Sequence, residues 1–121
     1  MIHDITPIPA PRMTRADRWK KRPPVLRYFA FKDRVKKLGI KVNNGDSVTF
    51  YMPMPQSWSK KKKDEMQLKP HQSRPDLDNL LKALLDSIYE DDAHIYSLRI
   101  RKFWDYEGSI EIKQKGQLSP D

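Results

Sequence analysis

A small α/β protein of the α+β type, with two helices laid on one face of a mixed β-sheet, is the fold class this sequence predicts. Three observations predict it. Two stretches repeat apolar residues at helical spacing, three short stretches alternate apolar and polar residues, and their order is strand, helix, strand, loop, helix, strand, strand. A chain of 121 residues suits one core, with 1–121 read as a single domain. Within it, 1–23 is a basic N-terminal segment, 56–75 a basic loop and 114–121 a frayed tail.

Each element has its reason. Ile2 and Ile5 precede Pro7, Pro9 and Pro11, so a strand there is short or lies at an edge, because proline donates no ladder hydrogen bond. Pro23-Pro24 opens a helix, since proline suits a first turn. Val25, Tyr28, Phe29, Lys32, Val35 and Leu38 form its stripe, and Gly39 ends it. Asn43-Asn44-Gly45-Asp46 is a turn. Val48, Phe50 and Met52 alternate with Thr49 and Tyr51 as a strand, which Pro53 and Pro55 stop. Leu77, Leu81, Leu84, Leu85 and Ile88 mark the second helix, with Asp78 or Asn79 as its N-cap. Tyr96, Leu98 and Ile100, then a turn at 105–108, then Ile110 and Ile112 read as a β-hairpin.

The chain holds 24 Lys/Arg against 16 Asp/Glu, a net charge of +8 that favours a polyanionic partner, nucleic acid above all. It has no cysteine, which excludes disulfides and zinc–thiolate sites and fits a reducing interior. No apolar run approaches the roughly 20 residues needed to cross a bilayer, and the first residues lack a signal-peptide core. A soluble cytoplasmic protein is expected. With four glycines and no phosphate-cradling glycine motif, nucleotide-driven chemistry has no support.

The charge is unevenly distributed. Residues 1–75 hold 18 Lys/Arg and 6 Asp/Glu, a net of +12, whereas 76–121 hold 6 and 10, a net of −4. Residues 76–92 alone hold six carboxylates and one lysine. A surface built only to grip phosphate gains nothing from such a segment. A divalent cation reconciles the two, because it offsets the carboxylates and sits where phosphate must come. The candidates are Asp76, Asp78 and a carboxylate of the Asp91/Asp92 pair, with Asp86 and Asn79 as accessories. Magnesium prefers oxygen and keeps several waters, so two or three carboxylates suffice. Lys82 stands four residues after Asp78, on the stripe that continues to Asp86, and offers a cation to phosphate. A helix of about 12 residues spans roughly 18 Å, so Asp92 meets Asp78 only if the chain folds back or a second subunit completes the site. The plainer alternative makes Asp76 and Asp78 helix-start residues, Lys82 half of a surface ion pair, and Asp91-Asp92 a turn.

Candidate phosphate contacts are Arg12, Arg15, Arg18, Lys20, Lys21 and Arg22, then Lys60, Lys61, Lys62 and Lys63, then Lys69 and Arg74. Trp19, Trp58, Phe103 and Trp104 are candidates for stacking on bases, with Trp104 read rather as a core or dimer-interface residue. His3, His71 and His94 receive no ligand role.

The stretch RPDLDNLLKALLDSIYEDDAHI resembles the RusA family of Holliday junction resolvases, endodeoxyribonucleases of bacteria and their phages. The shared pattern is a basic residue, D-L-D-N, a lysine four residues after the second aspartate, an aspartate four beyond that, and a D-D pair before the next strand. Here these are Arg74, Asp76, Leu77, Asp78, Asn79, Lys82, Asp86, Asp91 and Asp92. The segment PAPRMTRADRW also looks like the start of phage members, and the order of elements agrees over most of the chain. The resemblance implies a RusA-like homodimer that binds branched DNA and cuts two opposed strands of a four-way junction with magnesium, or manganese in its place, in DNA recombination and repair. It implies Asp76, Asp78 and Asp92 as metal-binding catalytic carboxylates, Asp92 rather than Asp91, with Lys82 essential beside them. The run Lys60–Lys63 and the short hydrophilic tail depart from the family pattern. Competing expectations are a non-catalytic module for branched DNA and a ribonuclease using the same residues.

Overall fold

The computed structural model describes residues 1–11 and 22–117. It contains strand β1 (Ile2–His3), helix α1 (Pro23–Leu38), strand β2 (Ser47–Pro53), helix α2 (Lys60–Met66), helix α3 (Leu77–Ile88), strand β3 (Arg99–Asp105) and strand β4 (Ser109–Lys113), with a closing 3-10 turn at Lys115–Gln117. The mixed α+β class is as the sequence predicts, with one helix more.

Helix α1 starts at the proline pair and ends where Gly39 turns left-handed at φ 65° and its N–H bonds to the Lys36 carbonyl. A residue with a Cβ is disfavoured in that region. The buried stripe is Val25, Tyr28, Phe31 and Val35. Phe29, expected in it, is exposed, and Phe31 takes its place because 28, 31 and 35 share the face turned to α3. Helix α3 buries Leu80, Ala83, Leu84, Leu85 and Ser87. Its buried hydroxyl is satisfied locally, Ser87 Oγ donating to the Ala83 carbonyl at 2.6 Å. The N-cap is Asp76, two residues before Asp78 and three before Asn79, and its side chain makes no capping bond.

The sheet runs β1-β4-β2-β3. β2 pairs antiparallel with β4 and parallel with β3, so β3 and β4 do not form the expected hairpin. β2 lies between them, and the turn at 106–108 carries the chain across its end, where Met54 N–H bonds the Asp105 carbonyl at 3.0 Å. The physical reason is burial. A direct β3–β4 hairpin would leave β2 at an edge, yet Val48 and Phe50 are fully buried and both edges of β2 are hydrogen-bonded. Gly108 permits the crossing: a Cβ there would stand 2.8 Å from the Thr6 Cα. β1 is the short edge strand expected, paired to β4 through Ile2 and His3.

The pairing aligns Val48 with Ile100 and Ile112, Phe50 with Lys102 and Ile110, and Met52 with Trp104. These residues line one face, since alternate residues of a strand point the same way. Phe31, Val35, Leu80 and Leu84 join them in one core. Residues 56–75, expected as a loop, include the seven-residue α2, which Ser59 opens by accepting from the Lys62 N–H at 3.2 Å. Among the described residues, no helix is long and apolar enough to cross a membrane.

Phe50→Ala removes the largest fully buried side chain from the central strand. A loss of about 3–5 kcal/mol is expected in urea unfolding. A loss below about 1 kcal/mol would show that the core does not rest on this strand.

Candidate functional site

The acidic helix start is reached through a strap that lies against the outer edge of β3. Leu68 N–H bonds the Trp104 carbonyl at 2.7 Å, Trp104 N–H bonds the Lys69 carbonyl at 2.9 Å, and His71 N–H bonds the Lys102 carbonyl at 3.2 Å. Pro70 pairs with Phe103 as an isolated antiparallel bridge. The strap is thus a partial extra strand. Its last residues are held from below: Lys102 Nζ donates to the Ser73 carbonyl at 2.6 Å and the Pro75 carbonyl at 2.7 Å. Asp76 follows at once, and its carbonyl accepts the Leu80 N–H at 3.2 Å to begin α3. Asp76, Asp78, Asn79 and Lys82 are exposed around this first turn. The Asn79 carbonyl also accepts from Ala10 N–H at 3.3 Å, so the N-terminal segment crosses here.

After α3 the chain doubles back. Tyr89 hydroxyl donates to the Val42 carbonyl. The Asn44 side-chain carbonyl accepts from Tyr96 N–H at 2.8 Å and Ser97 N–H at 3.3 Å, and Gly45 N–H bonds the Ser97 carbonyl at 2.7 Å. The Asn-Gly turn before β2 therefore holds the returning segment. Within that segment the two aspartates differ. Asp91 Oδ1 accepts from Ala93 N–H at 2.9 Å and is committed to its own turn. Asp92 is half-buried and lines a cleft with Leu81, Leu85, Ile95 and Ile100.

The folding-back therefore brings Asp92 beside the leucines of α3. It does not assemble a cage: among the described residues no group of three His, Cys, Asp or Glu side chains lies close enough to hold a metal. Asp76 and Asp78 stand at the start of α3 and Asp92 in the cleft. As donors, two exposed carboxylates suit a hard cation that keeps water and takes remaining ligands from phosphate. Asp86 has a different place. It accepts the Tyr28 hydroxyl at 3.1 Å and ties α3 to α1. Burial, then the Asp86 charge, hold that phenol well above its usual range.

The cations fall into three groups. Lys60, Lys61 and Lys62 are exposed on α2 and Lys63 is half-buried. α2 is fastened to β3 through aromatic rings: Lys62 Nζ lies 4.2 Å over Trp58, Trp58 is 4.9 Å from Trp104, and Trp104 is 4.2 Å from His71. Of the core and interface places expected for Trp104, the structure shows the core, and Trp58 packs on it. Lys69 and Arg74 are exposed on the strap, and Arg22 is exposed at the start of α1. Arg12, Arg15, Arg18, Trp19, Lys20 and Lys21 lie outside the described residues.

The sequence reading missed Lys102 and His71. The signal for Lys102 was present: it falls between Ile100 and Trp104 on the inward face of its strand, where a cation needs a polar partner. His71 is buried, and its Nδ1 has no hydrogen-bond partner among the described residues. Burial, then the Lys102 charge, push its pKa below the usual histidine value. The unfolded chain thus binds the proton more readily, and stability present above about pH 6.5 is lost as pH falls. Melting temperature should drop between about pH 7 and 5, and His71→Phe should lessen that drop without abolishing it, because His3 is shifted in the same direction. Superimposable pH profiles for the two proteins would remove His71 from this role.

The RusA family, Endodeoxyribonuclease RusA, matches residues 25–114, a span from α1 through β4 that includes Asp76, Asp78, Asp86, Asp91 and Asp92. An uncharacterized protein of Bacillus subtilis (strain 168), YqaN, is 37% identical over 73 residues, which cover 54% of this chain and 51% of that protein. The chain thus spans about half the length of this curated relative. With the family match extending over most of its length, this chain belongs to the RusA endodeoxyribonuclease family.

Proposed function

We propose that this protein is a magnesium-dependent endodeoxyribonuclease that resolves four-way DNA junctions by paired nicks, acting as a homodimer in DNA recombination and repair. The observation that carries the reading is the family match over residues 25–114, a span within which the sequence holds Asp76, Asp78, Lys82 and Asp92. Asp76 and Asp78 would hold the metal, with Asp92 joining them from the returning segment of the same chain or of a second copy. When bound, magnesium polarises the phosphoryl oxygen and lowers the pKa of a bound water. The chain supplies the rest. The main-chain bonds of the strap fix where Asp76 enters the helix. Lys82, exposed one turn beyond Asp78, offers an ammonium to a phosphate oxygen. Asp91 is occupied by the Ala93 N–H, which favours Asp92 as the third carboxylate. The lysines of α2 and the strap, and the basic segment 12–22, would follow the DNA backbone. The cytoplasm is the expected place of action.

Asp78→Asn is expected to bind a synthetic four-way junction at least as tightly as the wild type, while cleavage in magnesium falls at least about 100-fold, equivalent to about 2.7 kcal/mol. Unchanged cleavage would overturn the assignment. A wild type that binds the junction and never cuts it would instead be a branched-DNA-binding module. Junction affinity should also fall steeply with salt. Lys60→Ala with Lys61→Ala should lower the slope of log K against log[salt] by about 0.9 for each phosphate that is no longer neutralised. An unaltered slope would remove α2 from the DNA path.

A further inference from the structure

We propose that Lys102 is a positioning residue for the acidic site: from β3 its ammonium holds the Ser73 and Pro75 carbonyls and so sets the direction in which Asp76 and Asp78 are presented. This rests on the reading that Asp76 and Asp78 act on a phosphodiester.

Three observations converge on it. The first is the residue's place. Lys102 lies on the inward face of β3 between Ile100 and Trp104, across from the fully buried Phe50. It is half-buried there. A cation at such a position costs desolvation and persists only with polar partners. The second is what it touches. Its two bonds, 2.6 and 2.7 Å, are short enough to be charge-assisted. Both go to neutral main-chain oxygens, one of them the carbonyl joined directly to Asp76. The cation is therefore not cancelled by a carboxylate through these bonds, and its charge lies beneath the start of the acidic motif. The third is the double hold. The Lys102 carbonyl accepts the His71 N–H at 3.2 Å. One residue thus grips the strap at 71 through its main chain and at 73 and 75 through its side chain, leaving no unanchored stretch before Asp76.

A structural staple alone would matter equally to folding, DNA binding and cleavage. A positioning residue for this site should matter to cleavage and to metal dependence, and little to DNA binding. Three variants separate these outcomes. Lys102→Met removes both charge and donors, Lys102→Gln keeps a donor without the charge, and Lys102→Arg keeps both. Junction affinity is measured without divalent metal, single-turnover cleavage is measured across a magnesium titration, and amide hydrogen exchange is followed over residues 72–80.

Lys102→Met is expected to bind the junction within about twofold of wild type and to cleave it at least 30-fold more slowly. It should need several-fold more magnesium for half-maximal rate and exchange the amides of 72–80 faster, with those of β2 unchanged. Lys102→Arg should recover much of the rate, and Lys102→Gln should fall between. Wild-type rate and magnesium dependence in Lys102→Met, or unchanged exchange over 72–80, would overturn the proposal. So would a loss of binding that accounts for the whole loss of rate, which would make Lys102 a phosphate ligand. Should the methionine variant not fold, Lys102→Gln decides by the same readings. A wild type inert on junctions would sink the nuclease reading, and the exchange measurement would still decide whether Lys102 holds the strap.

Discussion

The structure depends on the insertion of β2 between β3 and β4. That strand is hydrogen-bonded on both edges and buries Val48 and Phe50 completely. Its central place makes β3 an outer strand, which leaves the far edge of β3 for the strap. The parallel register then sets Lys102 beside Phe50, facing inward. The Lys102 ammonium meets the carbonyls ahead of Asp76 only because of that register. The acidic helix start is thus tied, through two strands and one side chain, to the middle of the core.

Around this frame the lysine run and the acidic motif fall on different elements. The cations of α2 sit on a helix fastened by rings, Lys62 on Trp58, Trp58 on Trp104, Trp104 on His71. The carboxylates sit at the start of α3 and on the returning segment. The strap joins the two, so the lysine-rich helix and the acidic helix start are carried on one scaffold strand. This resolves the conflict visible in the composition, where a basic half precedes an acidic segment.

Much of this was legible in the residues. Helices α1 and α3 follow from apolar spacing, and Pro23-Pro24 and Gly39 mark the ends of the first. The D-L-D-N stretch and the Asp91-Asp92 pair pointed to the acidic positions and to the family. The strand order was not legible, because alternation within 99–105 and 109–113 says which face is buried and nothing of which strand lies alongside. A short turn between them reads as a hairpin until a third strand competes for both edges. Helix α2 was hidden by its composition: four consecutive lysines show no apolar face, and its docking depends on Trp58 just outside it. Whether Asp92 belongs with Asp76 and Asp78 is likewise beyond pattern, since it depends on how far the chain folds back after Tyr89.

The strap has a consequence for how this molecule meets its neighbours. An outer strand normally offers a row of unused donors and acceptors on which a foreign strand can grow. Along 102–104 these groups are already taken, by Leu68, Lys69 and His71. The stretch before it carries the exposed guanidinium side chains of Arg99 and Arg101, and the opposite rim of the sheet is a strand of only two residues. Growth of a continuous intermolecular sheet is therefore blocked at one rim and poorly templated at the other. Among the described residues, edge-to-edge growth is disfavoured by the same segment that leads to the acidic residues.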